Sequence, residues 1–590
     1  MLPWTTYEAM YDAALNQPEQ FWLEAAQRIT WKQAPVTACR TRADGWHDWF
    51  PDATLNTCHN AVDRHVADGR GGQAALIWHS CATKERQVVT YRELQGRVAG
   101  FAGGLCALGV EKGDRVLIAM PTMIETTIAM LACARIGAVH VVVFAGYAGP
   151  ELARRIDDAA PKVIIIASCS FQGQTPIPSA PALNEALARV THRPEACVVV
   201  QRAACPTALL PMRDHDFHTL ELSALAEPVM LRSEDSLYIL HTSGTTGHPK
   251  GIVRDNGGHA VALALSMDLI YGCKPGDTFF TTSDLGWVVG HSYGVYAPLI
   301  SGCTSVIVEG GASVSAIRAL CHEHDVKCLF TTPTQMRLMR QESRHLSGAI
   351  LPALARIFVA GEYADPTLLD WARSYFRKPV VNHWWQTETG WSITAHFFGL
   401  SEREPVALMN DIGRPAPGFR PKIVPSIPGE QCGEIVLSLP LPPGCLAGVW
   451  KDGAIRVPAA YFDETKQYYR TFDEGMIEAS RAVHMLGRSD DVIKVAGRRI
   501  SGVQIEKIIA THPAVHACAV VAIADTLRGQ RPVAYVVPDA EAEYAPSAEE
   551  IVARVNAVLG RWIGLKEVRF VRHLPTTVSG KITRKRLLVS

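Results

Sequence analysis

Residues 237–251 read Leu237-Tyr-Ile-Leu-His-Thr-Ser-Gly-Thr-Thr-Gly-His-Pro-Lys-Gly251, an apolar strand that runs into a loop rich in Gly, Ser and Thr and closed by a Lys. Such a loop offers a polyphosphate its backbone N–H groups, its hydroxyls and one ammonium. It differs from a Walker A loop, in which four residues separate the first Gly from Gly-Lys-Ser/Thr. The stretch therefore predicts phosphate binding outside the P-loop NTPase class. A flexible surface turn is the alternative interpretation, since Gly, Ser and Thr are common in turns.

On both sides of this loop, β-rich runs alternate with helical segments, which is the pattern of βαβ units on parallel sheets. The helical segments include 91–108 and 123–135. The β-rich runs are 75–78, 115–119, 139–144, 162–167, 237–240, 279–282, 305–308, 328–331, 355–359 and 380–382. The sequence therefore predicts an α/β fold with a large N-terminal domain of parallel-type α/β sheets.

The two ends of the chain differ from this body. Residues 7–28 carry apolar side chains at helical spacing, with a break and restart at Gln17-Pro18. The Pro- and Gly-rich region 413–444 predicts short strands, as in a small β-barrel. After it, residues 489–590 have a β-α-β rhythm of their own. We expect a helical entry segment at 1–70 within the large domain, a large domain at 71–489, and a small α+β C-terminal domain at 490–590.

Composition excludes several classes of function. The 590 residues contain 58 basic and 58 acidic side chains, so no electrostatic footprint for nucleic acid is expected. The most apolar region, 116–144, is interrupted by Glu125 and Arg135 and indicates a buried helix and strand, so no membrane span is expected. The N-terminus has no signal or transit pattern, and the 15 Cys include no Cys-x-x-Cys pair. A cytoplasmic location is expected.

The chain resembles the adenylate-forming acyl-CoA synthetase superfamily, most closely its acetyl- and propionyl-CoA synthetase branch. Besides 241–258, the segments that carry the likeness are Ser283-Asp-Leu-Gly-Trp287, Trp384-Trp-Gln-Thr-Glu-Thr-Gly-Trp391, Gly487-Arg-Ser-Asp-Asp-Val-Ile-Lys-Val-Ala-Gly-Arg-Arg499 and Ser579-Gly-Lys-Ile-Thr-Arg584, with 56–64 near the start. They follow the family order and extend over nearly the whole chain. The resemblance implies that a carboxylic acid, ATP and CoA give acyl-CoA, AMP and pyrophosphate through an acyl-adenylate, with Mg²⁺ and with CoA as co-substrate.

The resemblance also implies a role for each matched residue of the nucleotide site. The β- and γ-phosphates would be held by Thr242, Ser243, Gly244, Thr245, Thr246, Gly247 and Lys250, and the α-phosphate by Thr387. Glu388 would ligate Mg²⁺, which prefers hard carboxylate oxygens. Gly361 and Glu362 would border the adenine, Asp473 and Arg488 would contact the ribose, and Asn382, Trp385 and Gln386 would complete the cofactor-binding set.

By the same resemblance, the small domain is mobile and rotates between the two half-reactions about a hinge at Asp490. Lys581 would be the catalytic lysine that reaches the α-phosphate and the carboxylate during adenylation. Gly497 would line the tunnel for the CoA arm, where a side chain would block the approach, and Arg499 would approach phosphate. Ala510, His512 and Val515 match positions that hold a cation through backbone oxygens in relatives. Acylation of Lys581, with lysine acylation and deacylation enzymes as partners, is a further hypothesis.

The matched acyl pocket favours short acids. Trp385 corresponds to the bulky residue that closes the pocket in short-chain members, and Val288, Val289 and Ala360 to its other walls. Because Ala360 is small, the pocket has room for about one carbon beyond acetate, so propionate is the expected preference. Butyrate and isobutyrate follow, since one methylene discriminates by only about 1–3 kcal/mol.

Two other functions stay open. Residues 169–178, Cys-Ser-Phe-Gln-Gly-Gln-Thr-Pro-Ile-Pro, contain no Lys or Arg, whereas relatives carry basic CoA contacts after the corresponding strand. The acyl group could therefore pass to another acceptor, such as a carrier-protein thiol. A non-catalytic sensor of nucleotide or acyl-adenylate is the third interpretation, although the presence of Lys250, Glu388, Asp473 and Lys581 together argues against it.

Overall fold

The computed structural model describes residues 4–242, 250–343, 351–362, 364, 366–400, 412–425, 431–457, 459–463, 467–489, 492–495, 498–540, 542–576 and 582–588. The α-helices among them are α1 (Tyr7–Asn16), α2 (Pro18–Ala26), α3 (Tyr91–Ala107), α4 (Ile124–Ile136), α5 (Gly149–Ala159), α6 (Ala180–Leu187), α7 (Phe217–Glu221), α8 (Gly257–Leu269), α9 (Ala297–Ile300), α10 (Val314–Glu323), α11 (Pro333–Glu342), α12 (Pro366–Phe376), α13 (Gly502–Ala510), α14 (Ala548–Leu559) and α15 (Arg584–Leu587).

The break predicted near Gln17 separates α1 from α2. Thr6 caps α1 by accepting a hydrogen bond from the amide of Ala9 at 3.2 Å. Gln17 ends α1 in a non-helical conformation, and Pro18 starts α2 at the position where its missing N–H costs nothing. The local sequence alone thus sets this boundary.

The first large sheet has seven strands in the order β20-β19-β18-β16-β17-β4-β5. Its strands are β4 (Ala74–Ser80), β5 (Arg86–Thr90), β16 (Thr278–Thr281), β17 (Thr304–Glu309), β18 (Val326–Thr331), β19 (Arg356–Val359) and β20 (Val380–Asn382). All neighbours are parallel except β5, which pairs antiparallel with β4. The carboxyl ends of β16, β18, β19 and β20 therefore lie along one edge.

The second large sheet has nine strands in the order β12-β11-β8-β6-β7-β14-β15-β25-β26. Its strands are β6 (Arg115–Ala119), β7 (Val139–Val142), β8 (Val163–Ala167), β11 (Ala196–Val200), β12 (Asp214–Asp216), β14 (Ser236–Thr242), β15 (Lys250–Asp255), β25 (Gly448–Lys451) and β26 (Ala454–Arg456). It is parallel from β12 to β14 and antiparallel from β14 to β26. The antiparallel edge was not anticipated from the sequence.

The remaining strands form smaller sheets. Residues 421–488 contain β23 (Pro421–Val424), β24 (Gly433–Ser438), β27 (Tyr468–Ile477) and β28 (Val483–Arg488), and the C-terminal region contains β29 (Val492–Val495), β30 (Arg498–Ser501), β31 (Val515–Asp525), β32 (Gly529–Pro538) and β33 (Glu567–Phe570). Two-stranded sheets are formed by β1 (Cys39–Thr41) with β2 (His47–Trp49), β3 (Thr54–Leu55) with β13 (Leu231–Arg232), β9 (Cys169–Gln172) with β10 (Thr175–Pro178), and β21 (Thr394–Ala395) with β22 (Arg414–Pro415).

The α/β fold class predicted from the sequence is confirmed, with one difference in detail. Where a small β-barrel was expected, the described strands form a four-stranded antiparallel sheet in the order β23-β24-β27-β28, with β23 and β28 at its edges. Alternating hydrophobicity gives the positions of short antiparallel strands but not whether their sheet closes. None of the described helices is long and apolar enough to cross a membrane.

Side chains of the first large sheet alternate between two hydrophobic clusters. Phe330 and Phe358 belong to the main core, which also contains residues of the second large sheet, whereas Leu329 and Ile357 belong to a separate cluster beneath α10 to α12. This is the period-2 alternation of β-strands. Every second residue of β18 and β19 therefore faces the main core. The candidate site lies at the carboxyl ends of these strands.

Candidate active site

The candidate acyl-pocket residues follow the carboxyl ends of neighbouring parallel strands. Val288 and Val289 follow β16, Ala360 follows β19, and Trp385 follows β20. The indole of Trp385 packs edge-on against Tyr293, with ring centroids 5.5 Å apart, and lies 6.3 Å from the ring of Phe330 on β18. Loops after such strand ends are the usual position of ligands in open α/β sheets.

A buried histidine links the end of β19 to Tyr271, which follows α8. His383 contacts the carbonyl oxygen of Val359 through Nδ1 at 3.0 Å and the hydroxyl of Tyr271 through Nε2 at 3.0 Å. Because a carbonyl can only accept, Nδ1 carries the proton and Tyr271 donates to Nε2. Burial lowers the pKa of His383 to about 3, so the imidazole is neutral and this hydrogen-bond pattern is fixed.

Thr387 and Glu388 lie in a rigid turn after β20. Their carbonyl oxygens accept hydrogen bonds from the guanidinium of Arg254, at 3.1 Å for Glu388. Arg254 is fully buried on β15, and the hydroxyl of Thr389 accepts from the amide of Gln386 at 3.1 Å within the turn. Charge-assisted bonds to backbone carbonyls are stronger than neutral ones, so the turn that presents Glu388 is held in one conformation.

The carboxylate of Glu388 fits the chemistry of a Mg²⁺ ligand. Its Oε1 accepts a hydrogen bond from the hydroxyl of Tyr461 at 2.6 Å. Within the described ranges, its Oε2 has no hydrogen-bond or ion-pair partner. A half-buried carboxylate with one oxygen anchored and the other available offers the hard, oriented ligand that Mg²⁺ prefers.

Asp473, the candidate ribose ligand, lies on β27 with its carboxylate almost completely buried. Its Oδ2 accepts from Trp384 Nε1 at 3.1 Å and from Gln386 Nε2 at 2.7 Å, and Arg488 Nη1 lies 3.4 Å from Oδ1. Burial raises the pKa of the Asp473 carboxyl, and Arg488 and the two neutral donors oppose that rise. The site thus offers ribose hydroxyls a buried acceptor that is already oriented.

Lys250, the candidate phosphate ligand, begins β15 and pairs with Thr242 at the end of β14. Its ammonium nitrogen lies 4.8 Å from the centroid of the Tyr461 ring. That ring stacks on Tyr469 at 5.7 Å, and the Tyr469 hydroxyl donates to Gln386 Oε1 at 2.9 Å. One continuous chain of contacts therefore joins Lys250 to Glu388 and, through Gln386, to Asp473.

The structure also places the remaining described residues that the sequence predicted. Gly361 and Glu362 follow β19, and the carboxylate of Glu362 accepts hydrogen bonds from Thr334 at 2.8 Å and Arg337 at 3.3 Å on α11. Asn382 ends β20. In the C-terminal region, Ala510 ends α13 and Val515 begins β31; between them, His512 accepts a hydrogen bond from the Val515 amide on its backbone oxygen at 3.1 Å.

Several predicted residues lie outside the described residues. These are Ser243, Gly244, Thr245, Thr246, Gly247, Asp490, Gly497 and Lys581. Arg499 lies on β30, and its side chain is also outside the description. Their assigned roles stay predictions.

Tyr461 and Arg254 are site residues that the sequence reasoning missed. Arg254 lies within the quoted segment that follows the phosphate loop, but nothing in that segment assigns it a role. Tyr461 lies in a short 3₁₀ turn, Ala459–Tyr461, far from every quoted motif. Both side chains reach the Glu388 turn through tertiary contacts. Arg254 donates to the Glu388 carbonyl oxygen, and Tyr461, stacked on Tyr469 of β27, donates to the Glu388 carboxylate.

Models of known protein families match nearly the whole chain. The family model described as AMP-binding enzyme matches residues 63–442, that of the AMP-binding enzyme C-terminal domain matches 504–581, and that of the acetyl-coenzyme A synthetase N-terminus matches 7–61. Along the chain, the N-terminal model comes first, the AMP-binding model second and the C-terminal model last.

Two relatives and one solved structure give the degree of similarity. An uncharacterized protein of Pseudomonas aeruginosa is 42% identical over 98% of this chain and 94% of its own. The propionate–CoA ligase of Salmonella typhimurium is 39% identical over 98% of this chain and 95% of its own. The crystal structure of a Brucella canis acyl-CoA synthetase, 25% identical, covers 98% of both chains with a TM-score of 0.69.

Proposed function

Because the chain belongs to the AMP-binding enzyme family, we propose that it is a short-chain acyl-CoA synthetase that prefers propionate. Enzymes of the acyl-CoA synthetase family use ATP and Mg²⁺ and take CoA as co-substrate, so the co-substrates expected from the sequence are confirmed at the level of the family. The general reaction, formation of an acyl thioester with release of AMP and pyrophosphate, follows from this membership.

The chemistry requires two steps, since a carboxylate is a poor acylating agent. In the first, a carboxylate oxygen of the acid bonds to the α-phosphorus of ATP and the bond to pyrophosphate breaks, which gives acyl-AMP. In the second, the CoA thiol bonds to the acyl carbon, the bond to AMP breaks, and the thiol proton is released. Mg²⁺, held by Glu388, would offset the negative charge of the phosphates.

The observation that carries this proposal is the continuous contact chain from Lys250 to Asp473. It joins a cation suited to phosphate, a carboxylate suited to Mg²⁺ and a carboxylate suited to ribose hydroxyls. These groups come from β15, the turn after β20, and β27. The contacts branch at Tyr461: its hydroxyl reaches Glu388, and its ring leads through Tyr469 and Gln386 to Asp473. One connected network thus holds all three groups, which supports a nucleotide site.

Propionate preference is supported by the small wall residue Ala360. Side-chain alternation on β19 directs Ala360, like Phe358, toward the main core that contains Trp385 and Val289. The alanine side chain is smaller than a β-branched one at this position, so a pocket wall formed by it would admit a longer acyl chain. Acids of two to four carbons should be accepted, with propionate first.

We also propose that residues 490–590 move as a small domain about a hinge at Asp490. In the adenylation pose, Lys581 would act on the reacting groups and Arg499 would approach phosphate. In the thioester-forming pose, Gly497 would line the tunnel for the CoA arm. Among the described residues, β29 to β33 pair only with one another. Their apolar side chains, with those of α13 and α14, form hydrophobic clusters separate from the main core. A region with its own core and sheet can rotate without exposing the core of its neighbour. The remaining sequence predictions, a cytoplasmic location and a cation at 510–515, stay predictions.

A second acceptor for the acyl group is favoured by the hairpin of β9 and β10. Its residues, 169–178, carry no basic side chain. Arg202 packs over Phe171 at 4.7 Å, but its guanidinium is paired with Glu309 and both side chains are buried. The hairpin therefore presents no available cation to the phosphates of CoA, and a carrier-protein thiol is the alternative acceptor.

Mass spectrometry of single reactions separates these functions. With ATP, Mg²⁺ and propionate alone, we expect enzyme-bound propionyl-AMP; addition of CoA should convert it to propionyl-CoA and free AMP. Propionyl-AMP that persists in the presence of CoA would overturn the synthetase proposal in favour of another acceptor. If no acid yields an adenylate although ATP binds, the chain is a sensor.

A further inference from the structure

Tyr461 stands between the two oppositely charged groups of the candidate ATP site. Its hydroxyl donates to Glu388 Oε1 at 2.6 Å, and its ring lies 4.8 Å from the ammonium of Lys250. Tyr461 is 5% exposed, and its ring is stacked nearly parallel on Tyr469 at an interplanar angle of 5°. A tyrosine with ring and hydroxyl both engaged has little freedom to reorient.

Tyr461 contacts Lys250 with its ring and Glu388 with its hydroxyl. In the part of the chain that the structure describes, Lys250 and Glu388 form no ion pair with each other. A direct ion pair would neutralise both groups and withdraw them from phosphate and metal. The aromatic face instead attracts the ammonium through the ring quadrupole, while the hydroxyl takes one lone pair of the carboxylate.

The direction of the hydrogen bond is fixed. A carboxylate can only accept a hydrogen bond, so the Tyr461 hydroxyl, 2.6 Å from Glu388 Oε1, is the donor. This bond occupies Oε1 and leaves Oε2 as the oxygen that can face a cation. Partners that orient a ligating carboxylate in this way typically change metal affinity by about 10- to 100-fold.

We propose that Tyr461 is a positioning residue for both charged ends of the ATP·Mg²⁺ site: its hydroxyl orients Glu388 for the metal, and its ring holds Lys250 for the phosphates. The inference rests on the proposed function. It assigns Tyr461 no contact with the reacting atoms, and it separates two effects that different substitutions remove.

The test measures metal and nucleotide binding without turnover. Mn²⁺ replaces Mg²⁺, and electron paramagnetic resonance follows its binding in the presence of ATP and the absence of acid and CoA. Tyr461→Phe keeps the ring and removes the hydroxyl, so we expect Mn²⁺ to bind about tenfold more weakly. Tyr461→Leu removes both contacts, so ATP measured without metal should also bind several-fold more weakly, about threefold to thirtyfold.

Tyr468→Phe is the matched control. Tyr468 lies at the start of β27, and its hydroxyl accepts a hydrogen bond from Lys422 Nζ at 3.3 Å near the surface. Among the described residues, this hydroxyl has no hydrogen bond to Lys250, Glu388 or Tyr461. Loss of this hydroxyl should leave both affinities unchanged. Thermal unfolding of all three variants tests whether they are folded.

Each outcome decides between the two claims. If the wild type makes acyl-CoA but Tyr461→Phe binds Mn²⁺ as the wild type does, the inference is wrong and the proposed function stands. If the wild type binds Mn²⁺ with ATP but activates no acid, the proposed function is wrong, and the variant titrations still decide the role of Tyr461. If the wild type binds no Mn²⁺ with ATP, both are wrong.

Discussion

Replacement of Ala360 by Val should shorten the acid that the enzyme prefers. Ala360 is 1% exposed, directly after β19, and its amide lies 3.4 Å from the carbonyl oxygen of Thr331. The added carbons have no path to solvent and must occupy space on the main-core side, where Trp385 and Val289 lie. We expect the space available to the acyl chain to shrink by about one methylene.

One methylene in an apolar pocket changes transition-state binding by about 1–3 kcal/mol, which is about 10- to 200-fold in relative kcat/KM. The ratio of kcat/KM for propionate to that for acetate should fall by this factor in Ala360→Val. Initial rates of pyrophosphate release, measured with each acid at saturating ATP and CoA, give the ratio directly.

Ala372→Val is the control, because Ala372 is equally buried but lies on α12 in the separate cluster. It should carry the overpacking cost of about 1–3 kcal/mol in unfolding free energy without a change of substrate ratio. An Ala360→Val enzyme that is folded and keeps the wild-type ratio, or favours longer acids, would refute the assignment of Ala360 to the pocket wall.

Three further predictions address the turn that presents Glu388, the buried carboxyl of Asp255 and the small domain. Gly390→Ala should lower the unfolding free energy, measured by chemical denaturation, by about 2–5 kcal/mol, because Gly390 has φ +74° and an added Cβ would lie 2.4 Å from the Gly444 carbonyl oxygen. The control is Gly453→Ala, where φ is +73° and an added Cβ would meet no atom within 4 Å. This control should lose only about 1–2 kcal/mol of unfolding free energy. Burial raises the pKa of Asp255 to about 7, so between the unfolded-state pKa and this value the folded protein holds a proton that the unfolded protein has lost. The stability that this proton contributes is fully present below the pKa of Asp255 in the unfolded state. It is lost as the pH rises through the pKa of Asp255 in the folded state. Between about pH 5.5 and about pH 7.5, the unfolding free energy of Asp255→Asn should therefore rise by about 2 kcal/mol relative to that of the wild type in denaturation experiments. If the unfolding free energies of both proteins have the same slope against pH, the raised pKa is contradicted. Lys581→Ala should lose acid-dependent pyrophosphate release by about 100-fold or more while binding ATP normally by calorimetry, and full release would remove its assigned role.

The β-rich runs before Val288, Ala360 and Trp385 could be recognised from the sequence, because strand patterning is local. The role of these residues as walls of an acyl pocket was implied by the family resemblance, and in the structure they follow the carboxyl ends of strands of one sheet. The break before Pro18 was equally local. Such features depend on residues close in sequence or on a topological rule, so a single sequence contains them.

Other features depend on which distant strands meet. The antiparallel pairing of β15 with β25 has no signature in either strand. Arg254 donates to the carbonyl oxygen of Glu388 across 134 positions of sequence, a contact that neither segment specifies. Tyr461 reaches Glu388 across 73 positions of sequence. The carboxylate of Glu362, just after β19, accepts a hydrogen bond from Thr334 on α11, a partner that its own motif does not specify. Side-chain direction at a strand end follows from packing, which a motif does not specify.

The central claim is tested most directly by pyrophosphate release from the purified protein with ATP, Mg²⁺ and acids from acetate to hexanoate, each with and without CoA. Our account predicts release that is greatest near propionate and strongly accelerated by CoA. Acid-dependent release that is indifferent to CoA, or no release with any acid, would contradict it.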